Sequence, residues 1–506
     1  MSGITDRLRK AFARVKQTLT PEGTLMERAV TGGIWATALN VSGRIFQLLT
    51  AILLARLLTP RAFGIVAIGM LVIIGLERFS KLGLDDALIY NRDSNVDRYL
   101  DTAWVMNATR GVLLSAILFF SAPYVGSFYN EPIVTEILPV MAIGPLVLGL
   151  RNPGILYFRK DLVFHKEFVY DVSGEAAYFL AALAYALWSP TAWALVVGYL
   201  SRNVVRTFLS YVLHGYRPWP RFDLELAREM FDYGKWITGG SIANYIRNEG
   251  DDHFVGWLLA SSSLGFYQMA YRLSNAPATE VTHVISSVSF PAYSEVQDDL
   301  QKLRTAFYKT VRISAFLAAP MAVGIAMVAP TFVKAVLGEQ WMPMVVPMQV
   351  LAGYGMIRGF VSSYGSVWRA TGHPDYLVKL QLVSIVLMAI PLYPATVEYG
   401  LTGTALVITL VYAFIMFPID TYLAASAADA DFKRLLLEFA YPLPAAALMG
   451  VTVFWTRNAV SDLPAYLSLL VLVVVGVATY ATAVVALDSR INWNILHDIK
   501  DIRDML

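Results

Sequence analysis

The stretch SIANYIRNEGDDHFVGWLL, residues 241–259, decides how the chain is interpreted, because it places charged side chains inside an apolar segment. Arg247, Glu249, Asp251, Asp252 and His253 fall within seven consecutive positions, and apolar residues approach from both sides. At the centre of a membrane-spanning helix, each such charge costs roughly 2.5–3.5 kcal/mol on insertion scales. The segment therefore predicts partners or a polar cavity for these groups inside a membrane.

The composition is that of an integral membrane protein. Of the 506 residues, 57% are hydrophobic and only 15% are charged, whereas ordinary soluble domains are about a quarter charged. Apolar runs of spanning length recur from Thr31 onward, and they predict an all-α polytopic membrane protein with about 14 transmembrane helices. The formal net charge of +2 gives no reason to propose nucleic-acid binding, and the absence of cysteine excludes disulfides and thiolate metal sites.

Lysine and arginine are concentrated in alternate connections, which predicts that both termini are cytoplasmic. Apolar and basic residues near the N-terminus alternate with helical spacing, so residues 1–30 are expected to form a cytoplasmic amphipathic helix on the membrane surface. We expect an N-terminal lobe of helices one to six at 31–213 and a C-terminal lobe of helices seven to twelve at 214–425. The last two spanning helices and a cytoplasmic tail are expected in 426–506.

An internal repeat appears when the sequence is compared with itself after a shift of about 201 residues. Identical residues then coincide, namely Gly33 with Gly234, Trp35 with Trp236, Leu57 with Leu258, Leu58 with Leu259, and Gly64 with Gly265. Copies separated by six helices enter the membrane from the same side. The repeat therefore predicts two six-helix lobes related by a pseudo-two-fold axis along the membrane normal, with substrate bound between them.

The buried charges suggest two kinds of site. Arg44, Arg247, Arg272 and Arg358 are predicted to bind a diphosphate or the glycan attached to it, because guanidinium groups form bidentate bonds with phosphate. Glu249, Asp251 and Asp252 leave surplus negative charge in the membrane, which suits coupling to Na⁺ or H⁺, and no other cofactor is expected. The alternative is that pairs one helical turn apart, such as Arg247 with Asp251, only neutralise one another.

Other polar and aromatic residues are given structural roles. Arg110 and Arg202 are expected to pair with acidic neighbours, while Arg206 and Arg312 lie near helix ends and are expected to extend towards water. The aromatic residues are expected mainly at the membrane interface or in helix packing, with stacking on sugar rings as an alternative for some: Trp188, Trp193, Trp219, Tyr245 and Trp368.

The stretch from Asn244 to Asp299 resembles the second-lobe signature of bacterial polysaccharide transporters, the oligosaccharide flippase branch of the MOP (multidrug/oligosaccharidyl-lipid/polysaccharide exporter) superfamily. The matching features are Asn244-Tyr245, the acid Asp251, Leu264-Gly265 with Tyr267, the run from Ala270 to Leu273, Phe290-Pro291, and Gln297 to Asp299. Residues 42–69 and 79–89 resemble the opening segments of the same family. The chain departs from it at Val255-Gly256-Trp257, where the family commonly has Ile-Gly-Arg, so the charge network is not carried over in detail.

The resemblance implies alternating access in a bacterial inner membrane. The expected substrate is an undecaprenyl-diphosphate-linked oligosaccharide repeat unit destined for capsule, exopolysaccharide or O-antigen, and membrane lipids, a polymerase and glycosyltransferases are expected partners. The resemblance carries binding or coupling roles to Arg44, Asp251 and Arg272 in particular. A lipid II-type flippase and an ion-driven exporter of small molecules are the alternatives within transport. A membrane polymerase or ligase is the enzymatic alternative, and the short outer connections disfavour it.

Overall fold

A computed structural model describes residues 25–80, 97–161, 163–491, 493, 495, 497 and 498. Within these ranges, the side chains of residues 25–30, 34, 36, 232–237 and 491 are not described. The predicted amphipathic helix at 1–30 lies outside the described residues, apart from the backbone of 25–30, as does most of the 79–89 motif. In the described part of the chain every regular element is a helix, which confirms the predicted all-α class.

The chain divides into two compact units, Met1–Tyr245 and Ile246–Leu506. The first unit contains all the described helices before α9. These are α1 (Leu25–Leu57), α2 (Pro60–Phe79), α3 (Asp97–Phe128), α4 (Pro132–Met141), α5 (Ile143–Gly149), the 3₁₀ turn Pro153–Ile155, α6 (Leu156–Lys160), α7 (Phe164–Trp188) and α8 (Trp193–Leu213). Helix α9 (Leu224–Leu258) contains the boundary between the units.

The second unit continues with long helices interrupted by short irregular turns. They are α10 (Ser261–Glu295), α11 (Leu300–Phe332), the π-helical turn Val333–Leu337, the 3₁₀ turn Glu339–Met344, α12 (Val345–Phe360), α13 (Tyr364–Ala370), α14 (Asp375–Val411), the π-helical turn Tyr412–Met416, α15 (Phe417–Ala427), α16 (Phe432–Ala440), α17 (Pro442–Ala459) and α18 (Ala465–Ile491).

The helix boundaries agree with the repeat found in the sequence. Helix α1 ends at Leu57 and α2 begins at Pro60, while α9 ends at Leu258 and α10 begins at Ser261, each 201 positions later. The intervening Thr59 and Ala260 both have extended backbone angles, with φ of −76° and −67°. In the first copy, the Thr59 hydroxyl accepts a hydrogen bond from the Ala62 amide and caps α2. The two copies therefore share one helix-turn-helix geometry.

Two of the spanning helices that the hydrophobic pattern predicts, over 133–157 and 343–369, have interruptions that the pattern does not reveal. The helix predicted over 133–157 ends at Gly149 and restarts after the 3₁₀ turn, and that predicted over 343–369 breaks between Phe360 and Tyr364. Within α14, Gly400 has φ +58° and ψ −138°, angles that favour glycine. The Thr396 and Thr404 hydroxyls are 2.8 Å apart, whereas an unbroken helix would separate these residues by about 12 Å. The chain therefore reverses at Gly400, in the connection predicted between the spanning helices at 375–394 and 401–425.

Nine helical stretches among the described residues are long and apolar enough to span a membrane, and one of them, Asp375–Ala427, includes the reversal at Gly400. Large apolar side chains on these stretches face outward, for example Leu113, Val386 and Val477. An outward apolar surface of this extent is what contact with lipid requires. The chain is a multi-pass membrane protein, while the count of 14 spanning helices stays a prediction.

Close helix packing in the first unit depends on glycine. A Cβ added at Gly111 in α3 would lie 2.7 Å from the Pro145 carbonyl oxygen and 3.1 Å from the Gly149 Cα in α5. Both neighbours are backbone atoms, so they cannot make room by changing a side-chain rotamer. Small residues at such crossings let helix backbones approach closely, which is a main source of helix association in lipid.

A buried ionic cluster in the second unit corrects one expectation. Arg312 was expected to extend towards water, but its guanidinium donates to both carboxylate oxygens of Glu438 and to Asp498. The exposed fractions of the Arg312 and Glu438 side chains are only 13% and 4%. The prediction was wrong because both acidic partners lie far away in the sequence. In the first unit, Arg206 likewise pairs with Asp171.

Candidate functional site

The acidic residues near the C-terminal end of α9, Asp251 and Asp252, form hydrogen bonds with α10, the helix that follows. The Tyr267 hydroxyl donates to Asp251 Oδ2 at 2.5 Å, and the Gln268 amide donates to Asp252 Oδ2 at 2.8 Å. The two carboxylate residues are only 7% and 8% exposed. Because α10 folds back immediately after Ala260, residues equally far from the turn face one another. Two consecutive buried carboxylates are therefore each bound by a donor from α10.

This arrangement differs from pairing along one helix. The alternative drawn from the sequence paired Asp251 with Arg247 one turn away, whereas the structure shows a hydrogen bond to Asp251 from Tyr267. Glu249 and His253 are half-buried on the same helix. Among the residues that the structure describes, no group of three or more His, Asp or Glu side chains is arranged to hold a metal ion. The segment thus contains two buried carboxylates, Asp251 and Asp252, that accept hydrogen bonds from neutral groups on α10, with Glu249 interacting with Asp252.

Arg247 instead lines a cavity of about 260 Å³ within the second unit. Its wall is formed by α9, α10, α12, α13, α14, α15 and the π-helical turn before α15. The charged groups in the wall are Arg247, Arg358 and Asp420. The guanidinium of Arg247 acts electrostatically on the Asp420 carboxylate. Two cations and one anion from distant parts of the sequence thus share one chamber.

Arg358 is held mainly by aromatic groups. Its guanidinium carbon lies 5.7 Å from the centre of the Tyr354 ring, and one of its nitrogens is 3.4 Å from Asn275 Oδ1. The Tyr354 ring meets the Tyr412 ring edge to face, with 4.8 Å between centres. These contacts hold the guanidinium group of Arg358 with aromatic and amide groups, and neither of its two partners is a carboxylate.

Some residues that line this cavity carry buried polar atoms without hydrogen-bond partners among the described residues. Four buried side-chain atoms on lining residues form no hydrogen bond within the described part of the chain: Thr282 Oγ1, Trp368 Nε1, Gln381 Nε2 and Asp420 Oδ1. Buried polar groups are normally hydrogen-bonded, and each unmatched group costs roughly 1–3 kcal/mol. These atoms are covered by neighbouring protein atoms, so they are strained polar groups in the wall of the cavity and not contacts already offered to a ligand.

The structure brings together some of the predicted site residues. Arg247 and Arg358 meet at this cavity, and Asp251 and Asp252 are adjacent on α9 with Glu249 one turn away. Arg272 on α10 is exposed and does not line the cavity, and Arg44 on α1 in the first unit is also exposed. A convergence of all the arginines therefore stays a prediction.

Sequence reasoning missed Asp420, Gln381 and Thr282. Asp420 follows Phe417-Pro418-Ile419 in an apolar run. The criterion used for residues 241–259, a charged residue inside an apolar segment, could therefore also have found it. Gln381 and Thr282 are neutral and carry no such signal. Trp368 was assigned to the membrane interface or to packing, and it does pack against the rings of Tyr364 and Tyr376 while also lining the cavity. Similarly, the Tyr245 hydroxyl donates to the Leu71 carbonyl, which confirms a packing role.

Taken together, these features define a polytopic helical membrane protein with charged and aromatic groups lining a chamber in its second unit. Residues 53–346, more than half of the 506-residue chain, match the Polysaccharide biosynthesis protein family, and the chain belongs to that family. The family suggested by the sequence motifs is thereby confirmed.

Individual relatives support this assignment. The chain is similar to Lipopolysaccharide biosynthesis protein WzxC of Escherichia coli (strain K12), with 26% identity over 390 residues that cover 76% of this chain and 78% of the relative. It is also similar to Succinoglycan biosynthesis transport protein ExoT of Rhizobium meliloti (strain 1021), with 26% identity over 327 residues that cover 64% of this chain and 65% of the relative.

A solved structure shares the fold. The Lipid II flippase MurJ in an inward closed conformation matches with a TM-score of 0.68, covering 88% of this chain and 97% of that protein. Sequence identity in this match is 12%, so the likeness concerns the fold alone.

Proposed function

We propose that the chain is a flippase that moves undecaprenyl-diphosphate-linked oligosaccharide repeat units across the bacterial inner membrane by ion-coupled alternating access. The glycan would serve in exopolysaccharide, capsule or O-antigen assembly. The observation that carries the proposal is membership of a polysaccharide biosynthesis family together with a relative named as a transport protein. The chain would change the position of its substrate and make or break no bond in it.

The charged interior supports this function. A lipid-linked glycan carries a diphosphate and many hydroxyl groups, neither of which enters hydrocarbon without compensation. Arg247 and Arg358 offer positive charge inside the second unit. We propose that these residues, together with Arg44 and Arg272, bind the diphosphate or glycan during transport.

Ion coupling is the second part of the proposal. Asp251 and Asp252 are adjacent and buried, and each accepts a hydrogen bond from a neutral side chain on α10. Two neighbouring carboxylates in a low-dielectric site repel one another when both are ionised, so uptake of H⁺ or Na⁺ stabilises the pair. Glu249 would contribute to the same site. Binding or release of the ion at this site can then favour one of the two alternating-access conformations over the other.

A lipid II-type substrate is the competing proposal, supported by the fold match alone. An assay with both lipid-linked substrates separates the two. Purified protein is reconstituted in liposomes that contain a fluorescent lipid-linked repeat unit or lipid II. Movement of the labelled lipid to the outer leaflet is measured by its cleavage with a glycan-cleaving enzyme added outside. Movement of lipid II alone would refute the repeat-unit proposal. A polymerised or hydrolysed product would refute transport as the activity.

The proposed arginines give the residue-level test. Arg44→Ala and Arg272→Ala are expected to reach the membrane at normal levels and to reduce transport at least tenfold, while lysine at either position restores only part of it. Arg221→Ala is the matched control, because Arg221 is exposed in the connection before α9. Full transport by both alanine variants would remove these residues from the proposed site.

A further inference from the structure

A row of tyrosine side chains connects the acidic residues of α9 with the cavity in the second unit. Its members, in order of contact, are Tyr267 and Tyr271 on α10, Tyr354 on α12 and Tyr412 in the π-helical turn before α15. We propose that Tyr271, at the centre of this row, is a positioning residue that makes the placement of the Arg358 guanidinium depend on whether Asp251 is ionised. The inference rests on the proposed function, because it explains how ion uptake reaches the rest of the second unit.

The row begins at a hydrogen bond to a carboxylate. Tyr267 is fully buried, and its hydroxyl donates to Asp251 Oδ2 at 2.5 Å. A hydrogen bond to an ionised carboxylate is roughly twice as strong as one between neutral groups. Neutralising Asp251 by a bound ion therefore weakens the contact that fixes the Tyr267 side chain.

Ring contacts carry this change from α10 to α12. Tyr271 follows Tyr267 by one helical turn, with 6.4 Å between the ring centres, and 6.1 Å separates the centres of the Tyr271 and Tyr354 rings. The Tyr354 ring in turn meets the Tyr412 ring edge to face. Aromatic rings with centres about 4.5–7 Å apart attract one another. A displacement of Tyr267 therefore alters the packing of Tyr271, which contacts both helices.

Two groups join Tyr271 to Arg358. The Tyr271 hydroxyl interacts with the Arg358 guanidinium, whose central carbon lies 5.7 Å from the centre of the Tyr354 ring. The Asn275 amide donates to the Tyr271 carbonyl at 3.2 Å, and Asn275 Oδ1 accepts from Arg358 at 3.4 Å. Arg358 is therefore held by Tyr271 both directly and through a second residue of the same helix.

The crossing of α10 and α12 leaves little room to absorb a movement. A Cβ added at Gly355 would lie 3.1 Å from the Ser274 carbonyl oxygen and 3.5 Å from Asn275 Oδ1. This crossing adjoins the contacts that Asn275 and Tyr271 make with Arg358. Closely packed groups change between discrete arrangements and do not deform continuously. A change at Tyr271 is then passed to Arg358, because no empty space takes it up.

Neighbouring ionisable groups decide how the site is best neutralised in an experiment. The groups that act with Asp251 are Asp252 on the same helix and Tyr267 and Tyr271 on α10, and Glu249 acts on Asp252. A change of pH would titrate the acidic neighbours as well. Asp251→Asn removes the one charge in question and keeps an acceptor for the Tyr267 hydroxyl.

The absence of cysteine from the chain makes the test direct. Leu377→Cys places a single thiol in the wall of the cavity that Arg358 also lines, at a residue that is 38% exposed. The full-length variant is purified and treated with an anionic or a cationic methanethiosulfonate reagent. The ratio of the two reaction rates reports the electrostatic potential at the thiol. Ser461→Cys, in the exposed turn between α17 and α18, is the matched control thiol.

We expect Asp251→Asn to change this ratio at least about threefold more when Tyr271 is present than after Tyr271→Phe, because residues in one network do not act additively. The direct effect of the lost charge is the same in both backgrounds and cancels in the comparison. Arg358→Gln should lower the ratio of the anionic to the cationic rate and remove the dependence on Tyr271. The control thiol should show none of these changes.

Tyr293→Phe is the matched tyrosine control. Tyr293 is buried on the same helix as Tyr271, and its ring packs on Phe307, away from the row. If loss of a buried hydroxyl merely loosened α10, this variant would weaken the effect of Asp251→Asn as Tyr271→Phe does. We expect it to leave the effect intact.

Three outcomes would overturn the inference. They are an equal effect of Asp251→Asn with and without Tyr271→Phe, loss of the effect in Tyr293→Phe, and a ratio that does not respond to Arg358→Gln. The labelling requires no transport, so its result is independent of the liposome assay. Transport of lipid-linked repeat units together with any of these outcomes refutes the positioning role and leaves the flippase proposal standing, whereas the expected labelling without transport refutes the flippase proposal alone.

Discussion

The guanidinium of Arg312 meets both oxygens of the Glu438 carboxylate, at 2.9 and 3.0 Å, although 126 residues separate the two in the sequence. The Trp493 indole donates to the same carboxylate, and Asp498 accepts a further bond from Arg312 at 2.9 Å. The cluster joins α11, the short helix α16 and the segment after α18. It is the charge network that ties the last part of the chain to the core of the second unit.

Arg312→Ala is therefore expected to destabilise the protein strongly. Removing one member of a buried ion pair leaves the other charge uncompensated, at a cost of roughly 3–5 kcal/mol. The measurement is thermal unfolding of purified protein in detergent. Arg304→Ala is the control, because Arg304 pairs with Asp429 at the water-exposed surface and should lower the melting temperature little. Equal melting temperatures for the two variants would contradict a buried role for Arg312.

Gly111→Ala tests the close crossing of α3 and α5. The added methyl group would collide with backbone atoms at Pro145 and Gly149, so the helices must separate or the variant must lose stability. Gly43→Ala is the matched control, since a Cβ there meets nothing within 4 Å and alanine favours helix. We expect reduced yield and a lower melting temperature only for Gly111→Ala. A tolerated Gly111→Ala would show that the crossing has room to adjust.

Asp251→Asn tests ion coupling. The substitution removes one of two neighbouring buried charges while keeping the size of the side chain and its acceptor for the Tyr267 hydroxyl. We expect transport in liposomes to lose its dependence on the Na⁺ or H⁺ gradient, whereas Asp462→Asn in the exposed turn before α18 should retain it. Unchanged dependence in Asp251→Asn would exclude Asp251 from the coupling site.

His214, at the end of α8, gives a prediction for pH. Burial, assisted by the charge of Lys166, lowers the pKa of His214. Its Nδ1 accepts a hydrogen bond from the Tyr216 amide at 3.2 Å, and its ring stacks on Tyr157. Protonation would turn this acceptor into a donor. The other charged groups that act on the ring are Asp97 and Asp161, which oppose the shift, and Arg217, which adds to it.

The folded state therefore prefers neutral His214. Its contribution to stability is complete above the ordinary pKa of about 6.5 and decreases as the pH falls below that value, because the unfolded chain then binds the proton more readily. The melting temperature of the wild type should fall between pH 7.5 and pH 5.5 by more than that of His214→Gln. Parallel pH profiles for the two proteins would refute this role.

Local sequence patterns were sufficient to predict several features. The turns at Thr59 and Ala260 lie where the repeat register puts them, because a tight turn between apolar helices depends on a few adjacent residues. The position of the charged residues 247–252 within an apolar segment predicted that they are buried, and Asp251 and Asp252 are both buried. Long-range pairing could not be predicted in the same way. Nothing near Arg312 indicates Glu438 or Asp498, and nothing near Arg247 indicates a shared chamber with Arg358 and Asp420.

The cluster around Arg312 also sets an order of events during biosynthesis. Asp498 emerges 186 residues after Arg312, which at about 5–20 residues per second corresponds to roughly 10–40 s of translation. Throughout that interval, a guanidinium destined for burial lacks one of its acidic partners while helices α12 to α18 enter the membrane. The ionic cluster of the second unit therefore stays incomplete until Asp498 has been translated.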